Sequence, residues 1–304
     1  MRSFLPSLKK EGRSQAATST AFASAGHVRL NTRRMTDPLA RIAAALERLA
    51  PPPPASADPL AHPAYVWRGA VLEPVRDFRP LPLDRLHGID AQRAAMHANA
   101  RHLADGAAAH DVLLWGARGA GKSALVKAVT GAVQHEGGAL ALIEVVTAQL
   151  DTLPVLFEQI AAVPRAFLLF LDDLGFDAAA DGRALRSMLD GGAEARPANA
   201  RLVVTSNRRH LVPREMIDQP TAVNPRDAAD DALALADRFG LSLGFHVVDQ
   251  DGYLAIVAGY AQAYDLPFDP VDAVGWATRR GARSGRVAWH YIVDLAGREG
   301  RALK

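Results

Sequence analysis

The sequence contains no cysteine, which excludes disulfide staples, thiolate-ligated zinc and thiol catalysis. It also lacks a strong charge of either sign. Against 35 Lys and Arg stand 33 Asp and Glu, a formal +2 over 304 residues, so no global field argues for a nucleic-acid partner. No apolar run approaches the roughly 18 residues of a membrane span. The 10 histidines are scattered, without H-x-x-x-H or similar ligand spacing, and no internal repeat is visible. What is present is a 49% hydrophobic composition, enough to bury a substantial core, in a length that suggests about two domains. The expectation is a cytoplasmic chain with no membrane partner.

The first 34 residues carry seven Arg or Lys against one Glu, are rich in Ser, Thr and Ala, and have no periodicity. They read as an extension upstream of a start at Met35 or as a disordered tail; the Arg and Ser content also permits an organelle transit peptide. Thr36-Asp37-Pro38 supplies a cap and a first-turn proline, and Leu39, Ile42, Leu46 and Leu49 then form one apolar stripe on a short helix. Pro51 to Pro54 enforce an extended spacer after it. Tethered in this way, the helix either docks on a partner or another subunit, or packs on its own body.

Residues 65–83 read as short extended segments broken by prolines, and Leu86 opens a helix running to about Ala104. Strands are expected at 111–115, 139–146, 166–172, 201–206 and 242–248, and helices at 122–135, 152–162 and 181–195. That alternation predicts an α/β fold with a three-layer parallel sheet. After Asp249 the pattern is helical only, at 251–264, 270–280 and 286–299. The expected organisation is therefore an N-terminal extension (1–34), a helix and linker (35–64), a nucleotide-binding α/β domain (65–249) and a small helical lid (250–304).

Val112-Leu-Leu-Trp-Gly-Ala-Arg-Gly-Ala-Gly-Lys-Ser123 is the most informative stretch. A buried strand ends in Gly116-Ala-Arg-Gly-Ala-Gly-Lys122-Ser123, a full match to G-x-x-x-x-G-K-[ST], and a helix follows. Glycines let backbone N–H groups curl around phosphate oxygens, and the helix N-terminus adds partial positive charge. The residues expected to wrap the phosphates are Gly116, Ala117, Arg118, Gly119, Ala120, Gly121, Lys122, Ser123 and Ala124. Lys122 would reach the β/γ-phosphates, and the Ser123 hydroxyl would ligate Mg²⁺.

Phe167-Leu-Leu-Phe-Leu-Asp172-Asp173 is a hydrophobic strand that delivers two carboxylates to its C-terminal end. Asp172 would hold Mg²⁺ through water, and Asp173 would orient or deprotonate the attacking water. Many hydrolytic relatives carry Glu at the second position, and the shorter Asp can leave the water poorly placed and turnover slow. Leu202-Val-Val-Thr-Ser-Asn207 is another buried strand, ending in an amide suited to touch the γ-phosphate and the lytic water.

These segments resemble the AAA+ ATPases. Asn207 falls at the sensor 1 position, and Leu235-Ala-Asp-Arg238-Phe-Gly-Leu241 is similar to box VII, which implies that Arg238 acts as a finger toward a neighbouring subunit's ATP. Arg286 opens the last lid helix as the sensor 2 arginine does, and Leu86-His-Gly-Ile89 resembles the loop that packs on adenine. A guanidinium suits both arginine roles because it stays charged and donates two hydrogen bonds. Residues 35–304 as a whole resemble a bacterial family of AAA+-type ATP-binding proteins catalogued only as a domain of unknown function. Asp-Asp-Leu-Gly-Phe, Thr-Ser-Asn-Arg-Arg-His-Leu, Asp-Gln-Asp-Gly-Tyr-Leu and Ser-Gly-Arg-Val-Ala-Trp carry that resemblance together with the phosphate loop. Asn207 is followed by Arg208 and Arg209, rivals to Arg238 for the phosphate-contacting role. An irregular insertion then runs to about Asp231, either a client-contacting loop or a surface excursion.

The resemblance implies an ATP- and Mg²⁺-dependent homo-oligomer that hydrolyses ATP to remodel or regulate an unidentified protein client. A slow or non-hydrolysing ATP-gated switch is the alternative. A metabolic P-loop kinase would leave Asn207 and Arg238 unexplained. Arg279, Arg280, Arg283 and Arg286 permit a DNA partner, or serve the nucleotide instead.

Overall fold

The computed structural model describes residues 38–49, 55–174, 189, 196–207 and 236–303. The N-terminal extension, the expected helix at 181–195, and Arg208, Arg209 and the insertion to 231 lie outside the described residues. The chain divides into two units, residues 1–53 and 54–304. In the first, helix α1 (Pro38–Leu49) forms where the 3-4-3 apolar spacing predicts it and buries none of its residues.

The second unit is built on a seven-stranded sheet of order β2-β1-β4-β5-β6-β3-β7. The strands are β1 (Ala64–Trp67), β2 (Leu72–Pro74), β3 (Val112–Gly116), β4 (Leu140–Val145), β5 (Ala166–Leu171), β6 (Ala200–Ser206) and β7 (Leu241–Phe245). Only the β1–β2 pair is antiparallel. The continuous apolar runs follow from this topology. A parallel sheet is covered on both faces, so β5 buries all six of its residues and cannot alternate with polar ones.

Helices α2 (Asp90–Ala104) and α3 (Lys122–His135) cover one face, over a core that includes Met96, Val126, Val129 and Phe170. Helix α4 (Leu153–Ala161) covers the other with Leu156 and Ile160 against Trp67, Phe167 and Leu169. Three further helices, α5 (Gln250–Ala263), α6 (Pro270–Arg279) and α7 (Gly285–Arg298), share a separate core around Tyr253, Val257 and Tyr291. Each begins at a side-chain cap: Asp249 accepts from Gly252 N, Asp269 from Val271 N and Ser284 from Val287 N.

The helix expected from Leu86 starts four residues later, at Asp90. Gly88 takes φ 76°, a left-handed conformation that no helix continues through, so Leu86 to Ile89 remain a loop. The last strand ends at Phe245 rather than at 248, because its partner β3 ends opposite it, Gly116 pairing with Phe245.

Strand β3 lies between β6 and β7, so the chain leaving it crosses over β6 and β5 to reach β4. This places the loop after β3 at a switch point of the sheet, where ligands of open α/β folds bind beyond the carboxyl ends of the strands. The strand order, the phosphate loop that follows β3, next to the edge strand β7, and the trailing three-helix body make this an AAA+ P-loop fold. Among the described residues no helix is long and apolar enough to cross a membrane.

The sheet's lower end is tied by one nearly buried ion pair. The Asp111 carboxylate, 9% exposed, takes Arg196 Nη1 at 2.5 Å and the Leu202 N–H at 2.8 Å, fixing β6 beside β3. Asp111→Ala leaves the guanidinium and the N–H uncompensated. It should cost about 3 kcal/mol, read as a lowered urea midpoint at unchanged slope.

Candidate functional site

The phosphate loop begins where β3 runs out. Gly116 has φ 123°, and a Cβ there would stand 2.0 Å from the Phe245 carbonyl oxygen. That same oxygen accepts the Ala117 N–H at 2.8 Å, so the loop is pinned to the end of β7 at the point where no side chain fits. At Gly119 the three-helix body comes close. A Cβ would meet Ser284 Oγ at 3.0 Å and Arg286 Cβ at 3.3 Å, and Arg286 N donates to Gly119 O at 3.3 Å. Gly121 precedes the first turn of α3, with Ile89 Cδ1 3.6 Å from its Cβ position.

Lys122, the first residue of α3, is only 5% exposed. Its ammonium donates to Gly116 O at 2.9 Å, Ala117 O at 2.8 Å and Asn207 Oδ1 at 3.0 Å. Burial pushes its pKa below the usual lysine value; Asp172 and Asp173 pull it back up, while Arg118 and Arg286 press it down further. The charge is thus held by carbonyl dipoles and two nearby carboxylates, in a place poor in water.

The two acids sit beside it in different settings. Asp172 Oδ1 accepts from Ser123 Oγ and from Thr205 Oγ1, each at 2.7 Å. Thr205 Oγ1 in turn accepts the Asp173 N–H at 2.8 Å, so one hydroxyl fixes both residues. Asp173 turns at φ 54°, and its carboxylate takes a hydrogen bond from the Asn207 amide and faces Arg118 Nη2 at 3.8 Å. Ser123, Asp172 and Asp173 offer only hard oxygen donors, a set that fits Mg²⁺.

These residues line a cleft of about 670 Å³ between the sheet's carboxyl end and the helical body. Arg118 through Ala124 form one end of it, with Asp172, Asp173, Asn207 and Arg286 around them. Gly116 and Ala117 lie outside the cleft lining, with Gly116 against Phe245. At the far end Ile89 is joined by Leu86, His87, Ile256, Tyr260 and Trp289. Tyr260 packs edge-on to both His87 and Trp289, at centroid distances of 6.5 and 5.4 Å. Arg238 is not brought in: it is exposed in the segment 236–240 that leads into β7, apart from the cleft.

Two groups of residues have a role that the sequence pattern does not reveal. Thr205 lies in a stretch that bears the family resemblance, yet reads as one more position of a buried strand; a hydroxyl two residues before the terminal amide is the available signal. The aromatic end built by Tyr260 and Trp289 depends on how the helical body docks, and Gly259 was the one hint. A Cβ there would overlap the His87 ring, with Nε2 at 2.0 Å.

The sequence model of the family described as "Protein of unknown function (DUF815)" matches residues 60–299. No curated protein matches the chain. Among solved structures, the Holliday junction branch migration motor RuvB of Thermotoga maritima aligns at 17% identity and TM-score 0.45, covering 74% of this chain and 68% of that one. The Aeropyrum pernix Orc1 protein, solved in complex with DNA, aligns at 15% and 0.48, over 73% of this chain and 66% of that one. Domain III of the replication initiation protein DnaA from T. maritima aligns at 13% and 0.44, over 73% and 91%.

Gly116→Ala should destabilise the empty protein by about 3 kcal/mol, since the added carbon meets a backbone carbonyl rather than a movable side chain. Thermal unfolding without nucleotide measures this directly.

Proposed function

The chain belongs to the DUF815 family, and from the geometry of its cleft we propose that it binds ATP with Mg²⁺ and hydrolyses it, assembled with copies of itself, to remodel or regulate a protein client. One observation carries this reading. The Lys122 ammonium, the Ser123 hydroxyl, Asp172, Asp173 and Asn207 converge on the phosphate loop in a single hydrogen-bonded cluster. A cleft of about 670 Å³ with an apolar, aromatic far end suits a nucleoside triphosphate.

In this reading the loop's N–H groups and the start of α3 bind the phosphates, and Lys122 exchanges its carbonyl and Asn207 partners for phosphate oxygens. Ser123 and Asp172 would hold Mg²⁺, which when bound neutralises charge on the β- and γ-phosphates. Asp173, freed from the Asn207 amide, orients or deprotonates the attacking water, and Asn207 steadies it. Arg286 contacts the γ-phosphate from the lid and couples lid position to the nucleotide. Arg238, exposed and outside its own cleft, suits a role toward a neighbour's nucleotide. Ile89, with Tyr260 and Trp289 opposite, packs on the base.

A slower, switch-like protein is favoured by a specific observation: Asp173 is a short acid that both Asn207 and Arg118 already engage. Turnover separates the two readings. ATP hydrolysis by the full chain should rise in specific activity with protein concentration and vanish in Lys122→Ala, whose ATP affinity should fall roughly a hundredfold with the lost charged hydrogen bonds. Arg238→Ala should remove the concentration-dependent part. Binding without turnover above the Lys122→Ala blank would leave the switch.

The lowered pKa of Lys122 also has a consequence for binding. Phosphates draw the ammonium back toward its ordinary range, so the complex holds a proton that the empty site releases at alkaline pH. ATP affinity should therefore fall as pH rises, beginning below the usual lysine range. Lys122→Arg, which stays charged, should lack that alkaline limb in calorimetric titrations.

A further inference from the structure

A second cavity, of about 520 Å³, lies on the other side of the phosphate loop. Residues 246–248 wall both it and the nucleotide cleft, and its outer side is the turn between α6 and α7. Its two charged side chains are both arginines, Arg118 from the loop and Arg283 from the turn; His246, Thr278 and Ser284 are its other polar residues, and no carboxylate is among the described residues lining it. Val247, Val248 and small residues make up most of the rest. The cavity also touches Ser284, the cap of the 14-residue helix α7, whose start adds partial positive charge.

Arg118 lines both cavities. On the cleft side it faces Asp173 at 3.8 Å, with the two side chains 77% and 57% exposed. An ion pair so long and so wet is weak and readily exchanged for another anion. Arg283, also lining this cavity, is exposed. Two arginines lining one cavity of ligand size, with no acid among the described residues that line it, make a site for a molecule with more than one negative group.

We propose that this second cavity binds a small polyanion, bearing phosphate or carboxylate groups, between Arg118 and Arg283, and that the bound anion draws Arg118 away from Asp173. The site itself stands apart from the nucleotide reading; only the consequence, an Asp173 released for its water, rests on it. Such a ligand would act on turnover without entering the nucleotide cleft.

Calorimetry tests the site. The full chain is saturated with a non-hydrolysable ATP analogue in Mg²⁺-free buffer and titrated with pyrophosphate and, separately, with citrate. One further binding event is expected, and whichever probe binds tighter identifies phosphate or carboxylate as the favoured group. Arg283→Ala should weaken the event about tenfold, and Arg283→Lys should recover part of the loss. Neither change should alter the affinity for the analogue. Asp173→Ala should tighten the anion roughly two- to fivefold, because Arg118 is no longer shared. Absence of the further event with both probes, or an event indifferent to Arg283→Ala, would overturn the site; an event indifferent to Asp173→Ala would overturn the link to Arg118. Failure of the analogue to bind would count against the nucleotide reading alone, the anion titrations then being run on the empty protein.

Discussion

A buried ammonium organises the middle of this molecule. Lys122 gives up most of its hydration, and a charge in that position persists only if several oxygens are aimed at it. Two of those oxygens are loop carbonyls, which fixes the curl of the phosphate loop. The third belongs to Asn207 and fixes the end of β6. The carboxylates that offset its desolvation sit at the end of β5. Three strands that meet nowhere else in sequence are thereby brought to one point, and the sheet's order is what lets their ends lie side by side.

The cluster is closed in a definite sense: each polar group satisfies another. Ser123 and Thr205 both donate to Asp172, Thr205 accepts from the Asp173 N–H, and Asn207 bridges Lys122 to Asp173. In the proposed function, phosphate oxygens take the places of the oxygens around Lys122, and a cation that of the hydroxyl donors on Asp172. Glycine at positions 116 and 119 supplies the complementary condition, room for backbone to approach backbone on one side and the three-helix body on the other.

Much of this was legible in the chain itself, for local reasons. The β3–loop–α3 segment announces itself because its residue types are dictated by a short-range geometry. β5 is visible because burial on both faces demands an unbroken apolar run, and Asn207 because a polar residue ends such a run. Helix α2 begins later than its pattern predicts because a single left-handed glycine outweighs the helical pattern around it. The role of Thr205 is hidden because a threonine inside a buried strand looks the same whether it fills space or donates to Asp172. The aromatic end of the cleft and the cavity beside Arg283 are products of docking between sheet and helices, and no local pattern encodes that. The family of this chain is fixed by its sequence over residues 60–299, a span that takes in both the sheet and the three-helix body.

The link from β7 to α5 has only four residues, His246 to Asp249, and both of its ends are held. Phe245 is clamped under the phosphate loop, and Asp249 is bonded into the first turn of α5. A connection that short behaves as a stiff pivot rather than a tether. Helix α5 has 14 residues and so reaches roughly 20 Å from the pivot. A rotation of a few degrees at Phe245 then appears as a displacement of an ångström or more at the far end of the helix, carrying α6 and α7 with it through their common core. The fold in this sense contains a lever whose short arm is the strand beneath the phosphate loop.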